Sequence, residues 1–513
     1  MILNRTQNAK RGLSQGWINN IIVILCAFIT RTIMARTIGI EYLGLKSLFT
    51  SVFTLFNLAE LGVGSALVFF MYKPIADNDN DLLCGYLNLY KKMYHLSGTF
   101  VIMLSIAIMP FIKIIIKGDL PDGVNVFVLF ALFATGSICT YYFFAYSSSI
   151  LLAHQRNDVI LVIDSALTII VSGLQVLALV KLKNIYLYVL IDILKIVIKN
   201  IIVHYIARSL FPEIRPRGKI PSNHIPEVKK KIYGVFVGKI CGVSRNTFDS
   251  IFLSMFISIA VAGIYNNYYL IISSLAMIFN VTLPAIQAGI GNKIALESVD
   301  SNYTTMEIIN FLYMFFASSC TAILLCLYQP FMKIWMGDKM MLSDDIVILL
   351  VLYFYIGRMG DIRYVYSEAA GLFYEDRIRS ILEAIVNVVL NYILVRIMGV
   401  KGIVIATLIS MFIFSTIGGL LVTFKHYFKK GIYKHIIRQG IYFIGTVLVC
   451  TISFVVSKHD FSSNIYFDFI IKAGITIIVT PIMLLGLYFK MDIAREVRVW
   501  IGNHFSFFSK KSL

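Results

Sequence analysis

Long apolar runs separated by short polar segments fill most of the chain. A run of about 20 apolar residues is long enough to cross the hydrocarbon core of a bilayer as a helix. The pattern predicts about fourteen such helices, which start near Trp17, Leu43, Met93, Val124, Val159, Ile185, Ile232, Gly263, Met306, Ile346, Ile378, Gly402, Ile437 and Tyr466. The chain is therefore predicted to be an all-α polytopic membrane protein.

Basic residues accumulate in alternate connections between these predicted helices. The richest segments are the two termini and the connections 73–92, 208–231 and 425–438, whereas the intervening connections are poor in Lys and Arg. Connections on the cytoplasmic side carry the excess of Lys and Arg in membrane proteins. The alternation supports fourteen helices with both termini in the cytoplasm.

The composition agrees with a membrane protein and narrows its chemistry. The chain is 58% hydrophobic and 14% charged, whereas a soluble domain carries about 25% charged residues. The net charge of +18 comes from residues at the ends of apolar runs, which indicates a membrane protein rather than a nucleic-acid-binding one. The seven cysteines are irregularly spaced and the eight histidines are scattered, so neither a disulfide framework, a metal site nor a cofactor is predicted.

Two distant pairs of segments suggest an internal repeat. Gly44 in "EYLGLKSLFTSVFTLF" matches Gly263 in "AVAGIYNNYYLIISSL" at an offset of 219 residues, and Asp164 matches Glu383 at the same offset. We therefore predict two six-helix lobes, related by a pseudo-two-fold axis along the membrane normal, followed by two further helices. Alternatively, the match between these segments reflects only the general similarity of any two apolar runs.

The repeat sets the predicted domain boundaries. The N-terminal six-helix lobe is expected over residues 1–211 and the C-terminal lobe over residues 232–424. A basic cytoplasmic loop, residues 212–231, would join them. Residues 425–513 would hold the two additional helices and a basic cytoplasmic tail.

Charged residues inside the predicted spans are the candidates for function, because a charge at bilayer depth costs at least a few kcal/mol. Arg31 and Lys239 have no acidic residue within one helical turn, which makes them the best candidates for binding an anion. Arg245 is a further candidate, and Arg36 is expected to snorkel to the outer rim. The remaining residues predicted to line a cavity or to couple an ion are Glu60, Asp249, Lys195, Lys199, Arg358, Asp361 and Arg363.

Structural interpretations of these charges remain open. Asp192–Lys195 and Arg245–Asp249 have helical spacing and are candidates for ion pairs that only hold helices together. Asp164 and Glu383 lie close to the predicted cytoplasmic helix ends, Asp164 near Arg156 and Glu383 near Arg377 and Arg379. A structural latch in each lobe is the favoured interpretation of these two acids, and the sequence does not decide between structure and function.

The first two predicted helices carry a family resemblance. The segment "RTIMARTIGIEYLGLKSLFTSVFTLFNLAELGVGSAL", with an Arg late in helix 1, the Leu43-Gly44 turn and Glu60-Leu61-Gly62, resembles the opening of polysaccharide repeat-unit flippases of the Wzx type. The segment from Asp249 to Asn292 resembles their helices 7 and 8. The resemblance covers about residues 13–425 and implies the fold of the exporter superfamily that also contains the MATE antiporters and the lipid II flippases.

The function implied by this resemblance is translocation of an undecaprenyl-diphosphate-linked oligosaccharide across the bacterial inner membrane, by alternating access and without catalysis. Expected partners are that substrate, membrane lipids, a coupling H⁺ or Na⁺, and a polysaccharide polymerase with other assembly proteins; capsule, O-antigen and exopolysaccharide repeat units are all open. Two alternatives remain: a cation-coupled multidrug antiporter of the same fold and a membrane polysaccharide polymerase. The excess of basic over acidic residues inside the spans and the short outer loops favour the flippase.

Overall fold

The computed structural model describes the backbone of residues 5–60, 63–118, 120–121 and 123–510. Side chains are described for residues 14–57, 60, 63–118, 120–121, 123–236, 243, 247–284, 286–287 and 289–502. Across these residues the regular structure is entirely helical, which confirms the predicted all-α class.

Contacts divide the chain into two compact units. The first contains residues 1–277 and 391–399, and the second contains residues 278–390 and 400–513. The predicted lobes, 1–211 and 232–424, have different boundaries and stay a prediction.

The helices of the first half of the chain are α1 (Arg5–Thr37), α2 (Ile40–Phe56), α3 (Val63–Ala76), α4 (Asn80–Ile108), α5 (Val126–Tyr142), α6 (Ser147–Ala153), α7 (Asn157–Leu182), α8 (Ile185–Leu210), α9 (Ile225–Phe256) and α10 (Ile259–Leu296). Short 3₁₀ segments cover Asn57–Glu60, Met109–Ile115 and Ser222–His224.

The helices of the second half are α11 (Val299–Met336), α12 (Asp344–Met359), α13 (Asp361–Ala369), α14 (Phe373–Met398), α15 (Val400–Ser410), α16 (Gly419–Thr423), α17 (Tyr433–Ser457), α18 (Ile465–Tyr488) and α19 (Asp492–Lys510). A 3₁₀ turn covers Asp338–Met340, and π-helical turns cover Met411–Gly418 and Phe424–Phe428.

Nine helical segments within the described residues are long and apolar enough to cross a membrane, and the pair α5–α6, bent by 54°, makes a tenth if it is one broken span. The protein is thus a multi-pass membrane protein. The other predicted spans coincide with helices that are interrupted, short or charged: α2 and α3 are separated by a 3₁₀ turn, and α8 contains Asp192, Lys195 and Lys199. The count of fourteen stays a prediction.

Several helices that follow predicted outer turns begin with a side-chain cap. The side chain of Asn184 accepts a hydrogen bond from the Leu187 amide (3.0 Å) at the start of α8. Asn125 and Asn464 cap α5 and α18 in the same way. Such caps satisfy amide groups that have no partner inside the helix. They fix where α8 begins, and therefore the depth of Tyr188 within it.

Two glycines allow α2 and α10 to touch within the first unit. A Cβ atom on Gly44 would lie 1.9 Å from the backbone oxygen of Ile259, and one on Gly263 would lie 2.7 Å from the oxygen of Ile40. Only glycine lets two backbones approach this closely. These are the two glycines that the proposed repeat makes equivalent.

The second unit is built around α11, which packs against α12, α17 and α18. Glu307 of α11 is fully buried and accepts hydrogen bonds from Nδ1 of His435 (2.7 Å) and Nη1 of Arg438 (3.0 Å) on α17. Further along the same helix pair, Thr446 donates to Ser318 (2.7 Å). These polar contacts join α17 to the rest of the unit.

Candidate functional site

Arg31 lies in the last third of α1, and the hydrogen bonds that the structure describes for it go to neutral groups. Its Nη1 donates to the backbone oxygen of Asn266 (3.1 Å) and to Oδ1 of Asn267 (3.2 Å), both on α10. Among the residues whose side chains are described, no carboxylate forms an ion pair with Arg31. No described carboxylate therefore offsets the charge of this guanidinium.

Asn267 adds a donor beside this cation. The residue is fully buried, and its Nδ2 has no hydrogen-bond partner within the described part of the chain. Because Oδ1 accepts from Arg31, turning the amide over would place its NH₂ group against the guanidinium. The contact with Arg31 thus fixes the orientation of the amide and leaves an unused N–H donor next to a positive charge.

Asn266 is held by a separate contact. Its Nδ2 donates to Oγ of Ser250 (3.0 Å) and to the backbone oxygen of Ala262 (2.7 Å). Ser250 lies on α9, so α9 and α10 together hold the acceptors of Arg31. The site is assembled from residues of α1, α9 and α10 that all belong to the first unit.

A second cation lies on α2. Nζ of Lys46 donates to the hydroxyl of Tyr188 on α8 and lies 4.6 Å from the centre of that ring. Tyr188 is buried and is close enough to Arg31 for an electrostatic interaction. Lys46 is not among the candidates from the sequence. The signal that was missed is its position: Arg31 and Lys46 lie equally far from the turn between α1 and α2.

Of the three other predicted anion-binding residues, only Arg36 has a side chain that the structure describes. Arg36 is exposed and lies five residues after Arg31 on α1. Lys239 and Arg245 lie in α9, outside the side chains that the structure describes. Their assignment to the substrate site stays a prediction.

The ion pairs of α7 and α8 differ from the expected ones. Asp164 accepts from Nζ of Lys199 (2.7 Å) and lies 3.7 Å from Nζ of Lys195. The expected pairing of Asp164 with Arg156 is wrong, because Arg156 instead contacts Asp158 (3.1 Å). Lys195 is paired across the two helices with Asp164, and it also donates to Thr168 (2.8 Å). The two lysines thus serve to join α7 to α8.

Two predicted acids of the first unit are bound by uncharged donors. Asp249 is buried and accepts from the hydroxyl of Tyr265 (3.1 Å) and from Nδ2 of Asn391 (3.0 Å). Glu60, at the 3₁₀ break between α2 and α3, accepts from the hydroxyl of Tyr94, which in turn accepts from Tyr90 (2.8 Å). Both acids stay candidates for ion coupling.

In the second unit, Arg358 and Asp361 form an ion pair of 2.9 Å, and Asp361 also accepts from Tyr313. Arg363 is buried and donates to Oγ1 of Thr423 (3.2 Å) and to the backbone oxygen of Ser415 (3.1 Å). These contacts join α13 to α11, to α12 and to residues 415–423. A role of the three residues in a cavity stays a prediction.

The expected contact between Glu383 and Arg379 is confirmed. Nη1 of Arg379 donates to Glu383 Oε2 at 2.7 Å, and the same guanidinium also contacts Asp376. Two carboxylates therefore hold this arginine. Among the described residues no group of three or more His, Cys, Asp or Glu side chains could hold a metal ion.

A sequence model described as "Polysaccharide biosynthesis protein" matches residues 13–289, which is more than half of the chain. A comparison with curated proteins finds no match. Among solved structures, the chain is similar to a lipid II flippase MurJ in an inward closed conformation, with a TM-score of 0.66 and 14% identity over 92% of this chain and 98% of that one.

Two further structures share the fold. An inward-facing multidrug resistance MATE family transporter of the MOP superfamily has a TM-score of 0.61 and 15% identity, covering 80% of this chain and 98% of that one. A MOP superfamily transporter from Pyrococcus furiosus has a TM-score of 0.53 and 15% identity, covering 82% of this chain and 96% of that one. The predicted fold is therefore confirmed.

Proposed function

Because the chain belongs to the polysaccharide biosynthesis protein family, we propose that it flips an undecaprenyl-diphosphate-linked oligosaccharide from the cytoplasmic to the outer leaflet of the bacterial inner membrane. The observation that carries the proposal is the Arg31 site: a partly buried guanidinium whose described partners are neutral, next to an amide N–H of Asn267 that has no described acceptor.

A diphosphate fits the chemistry of this site. Its oxygens are strong acceptors, and a guanidinium can donate two parallel hydrogen bonds to a phosphate. The present partners of Arg31, a backbone carbonyl and an amide oxygen, satisfy its N–H groups without neutralising its charge. An arriving anion therefore has a favourable interaction with Arg31 that no described carboxylate competes for.

The binding strength also suits a carrier. A hydrogen bond to a charged group contributes about 1.5–3 kcal/mol, so a few such bonds hold the headgroup without trapping it. A substrate that bound one facing state much more tightly than the other would shift the population to that state and stop the cycle. Weak, distributed contacts avoid this outcome.

Complementation of a strain that lacks its own flippase tests the proposal. The Arg31→Met variant should lose surface polysaccharide while its level in the membrane fraction stays normal. Arg31→Lys should recover part of the export, because the charge survives but the bidentate geometry does not. Arg36→Met, at an exposed position on the same helix, is the matched control and should export nearly normally. Normal export by a well-expressed Arg31→Met variant would refute the assignment.

A multidrug antiporter of the same fold makes the opposite prediction. Such a protein binds cations, so removing the charge of Arg31 should preserve or improve binding of a cationic dye. Measuring dye resistance in the same strains therefore separates the two functions. Resistance that depends on this chain, with no effect on surface polysaccharide, would favour the antiporter.

A further inference from the structure

Lys46 is a second partly buried cation, and its described partners are neutral. Its ammonium group contacts the hydroxyl and the ring of Tyr188. No ion pair with a carboxylate involves Lys46 among the residues whose side chains the structure describes. A lysine that only served to reach the headgroup region would extend towards water, whereas this side chain meets a tyrosine that is 2% exposed.

Lys46 and Arg31 lie at the same depth of one helical hairpin. The turn between α1 and α2 is at Ile38 and Gly39, so Arg31 is seven residues before Ile38 and Lys46 is seven residues after Gly39. At 1.5 Å per residue, each lies about 10 Å from the turn along its helix. Tyr188 contacts Lys46 and lies near Arg31.

Arg31, Lys46, Tyr188 and Asn267 form a cluster of hydrogen-bond donors, and no anionic acceptor joins it among the described residues. Arg31 and Lys46 carry N–H donors, the Tyr188 oxygen accepts from Lys46 and so leaves its own hydrogen to donate, and Asn267 has an unused N–H. Leaving several donors and two charges in a largely apolar region is costly unless an acceptor-rich ligand binds there. A single phosphate fits beside one cation, and a second cation provides for a second phosphate.

We propose that Lys46 and Tyr188 extend the Arg31 site so that it binds both phosphates of a diphosphate, with Lys46 as the residue that selects a diphosphate over a monophosphate headgroup. The inference rests on the proposed function, because it assumes that Arg31 binds the first phosphate. It assigns a specificity role to two residues that are not among the candidates from the sequence.

Ligand binding by the purified full-length protein in lipid nanodiscs tests this role. The probes are farnesyl diphosphate, farnesyl monophosphate and inorganic pyrophosphate, with affinity measured by isothermal titration calorimetry. Lys46→Met should weaken farnesyl diphosphate and pyrophosphate binding roughly ten- to a hundredfold, as expected for the loss of a charge-assisted hydrogen bond. Affinity for the monophosphate should change less than threefold. Tyr188→Phe should give a smaller loss in the same direction.

Matched variants keep the test interpretable. Lys181→Met removes an exposed lysine at the end of α7 and should change none of the three affinities. Lys46→Arg keeps the charge and should retain the preference for diphosphate, even if Lys46→Met folds poorly. Thermal melting of each variant identifies loss of fold.

The outcomes separate this inference from the proposed function. Equal losses for monophosphate and diphosphate, or no loss at all in Lys46→Met while Arg31→Met abolishes binding, would overturn the role of Lys46 and leave the proposed function standing. A loss for farnesyl diphosphate without one for pyrophosphate would also overturn it, because Lys46 would then contact the lipid. Failure of the unmodified protein to bind any of the probes would count against the proposed function itself.

Discussion

The contact between α2 and α10 gives a prediction whose size can be worked out from the structure. A Cβ atom added to Gly44 would lie 1.9 Å from the backbone oxygen of Ile259, whereas ordinary van der Waals contact begins at 3.4 Å. The obstacle is backbone rather than a flexible side chain, so one helix must shift. Overpacking of this kind typically destabilises a protein by about 1–3 kcal/mol, occasionally more.

Gly44→Ala should therefore lower the melting temperature of the purified protein, despite the better helix propensity of alanine. Gly263→Ala should have a smaller effect, because its Cβ would lie 2.7 Å from the oxygen of Ile40. Gly173→Ala is the control: its Cβ would meet nothing within 4 Å, and alanine in a helix is favoured over glycine by roughly 0.5–1 kcal/mol.

The order of stability is measured by thermal unfolding of the three variants in one detergent. Size-exclusion chromatography of a fluorescent fusion detects the protein that remains folded. We expect Gly173→Ala to be at least as stable as the unmodified protein, and Gly44→Ala to be the least stable of the set. If Gly44→Ala and Gly173→Ala have the same melting temperature, α2 and α10 do not touch as described. Because Lys46 lies on α2 two residues after Gly44, the same variant should also weaken anion binding.

Three other predictions concern the ion pairs and the topology. Glu307→Gln should destabilise the protein by about 3–5 kcal/mol, because it leaves the buried His435 and Arg438 without their carboxylate; an unchanged melting temperature would contradict this. Asp164→Asn should cost less, about 1–2 kcal/mol, because Asp164, Lys195 and Lys199 are partly exposed, and it should exceed the loss from Lys195→Met alone, a ranking that denaturation of both variants checks. Reporter fusions at Ser222 and Ser462 should give opposite signals, with Ser222 cytoplasmic, since the basic loops follow the positive-inside rule; identical signals would break the fourteen-helix topology.

Most of the helices could be predicted from the sequence. In lipid a segment must satisfy its backbone hydrogen bonds internally, which a helix does, and about 20 apolar residues are long enough to cross. Their interruptions could not. The segment Asn57–Glu60 forms a 3₁₀ turn although the residues around it continue an apolar run, so the hydrophobic pattern gives no sign of a break. The Pro and Gly residues that usually mark breaks are absent from those four positions.

Spacing along one helix predicted some ion pairs and failed for others, since Lys195 pairs with Asp164 on α7 rather than with Asp192 on its own helix. The sequence leaves Arg377 and Arg379 open as nearby partners of Glu383, and Arg379, four residues earlier on α14, makes the contact. Asp164 contacts Lys199 on the next helix instead of the nearby Arg156. The pairing across α7 and α8 depends on how the two helices are rotated against each other, and no sequence spacing fixes that rotation.

A buried cation is available for binding only if its present partners can be exchanged without leaving a charge behind. Arg379 contacts two carboxylates, and a substrate anion would have to displace both and leave them unpaired, which is strongly unfavourable in a largely apolar environment. Arg31 and Lys46 contact a carbonyl, an amide and a phenol, which lose only neutral hydrogen bonds when an anion arrives. The chemical nature of the partner, more than burial or position in the sequence, thus separates the cations expected to hold the fold from those proposed to hold the substrate.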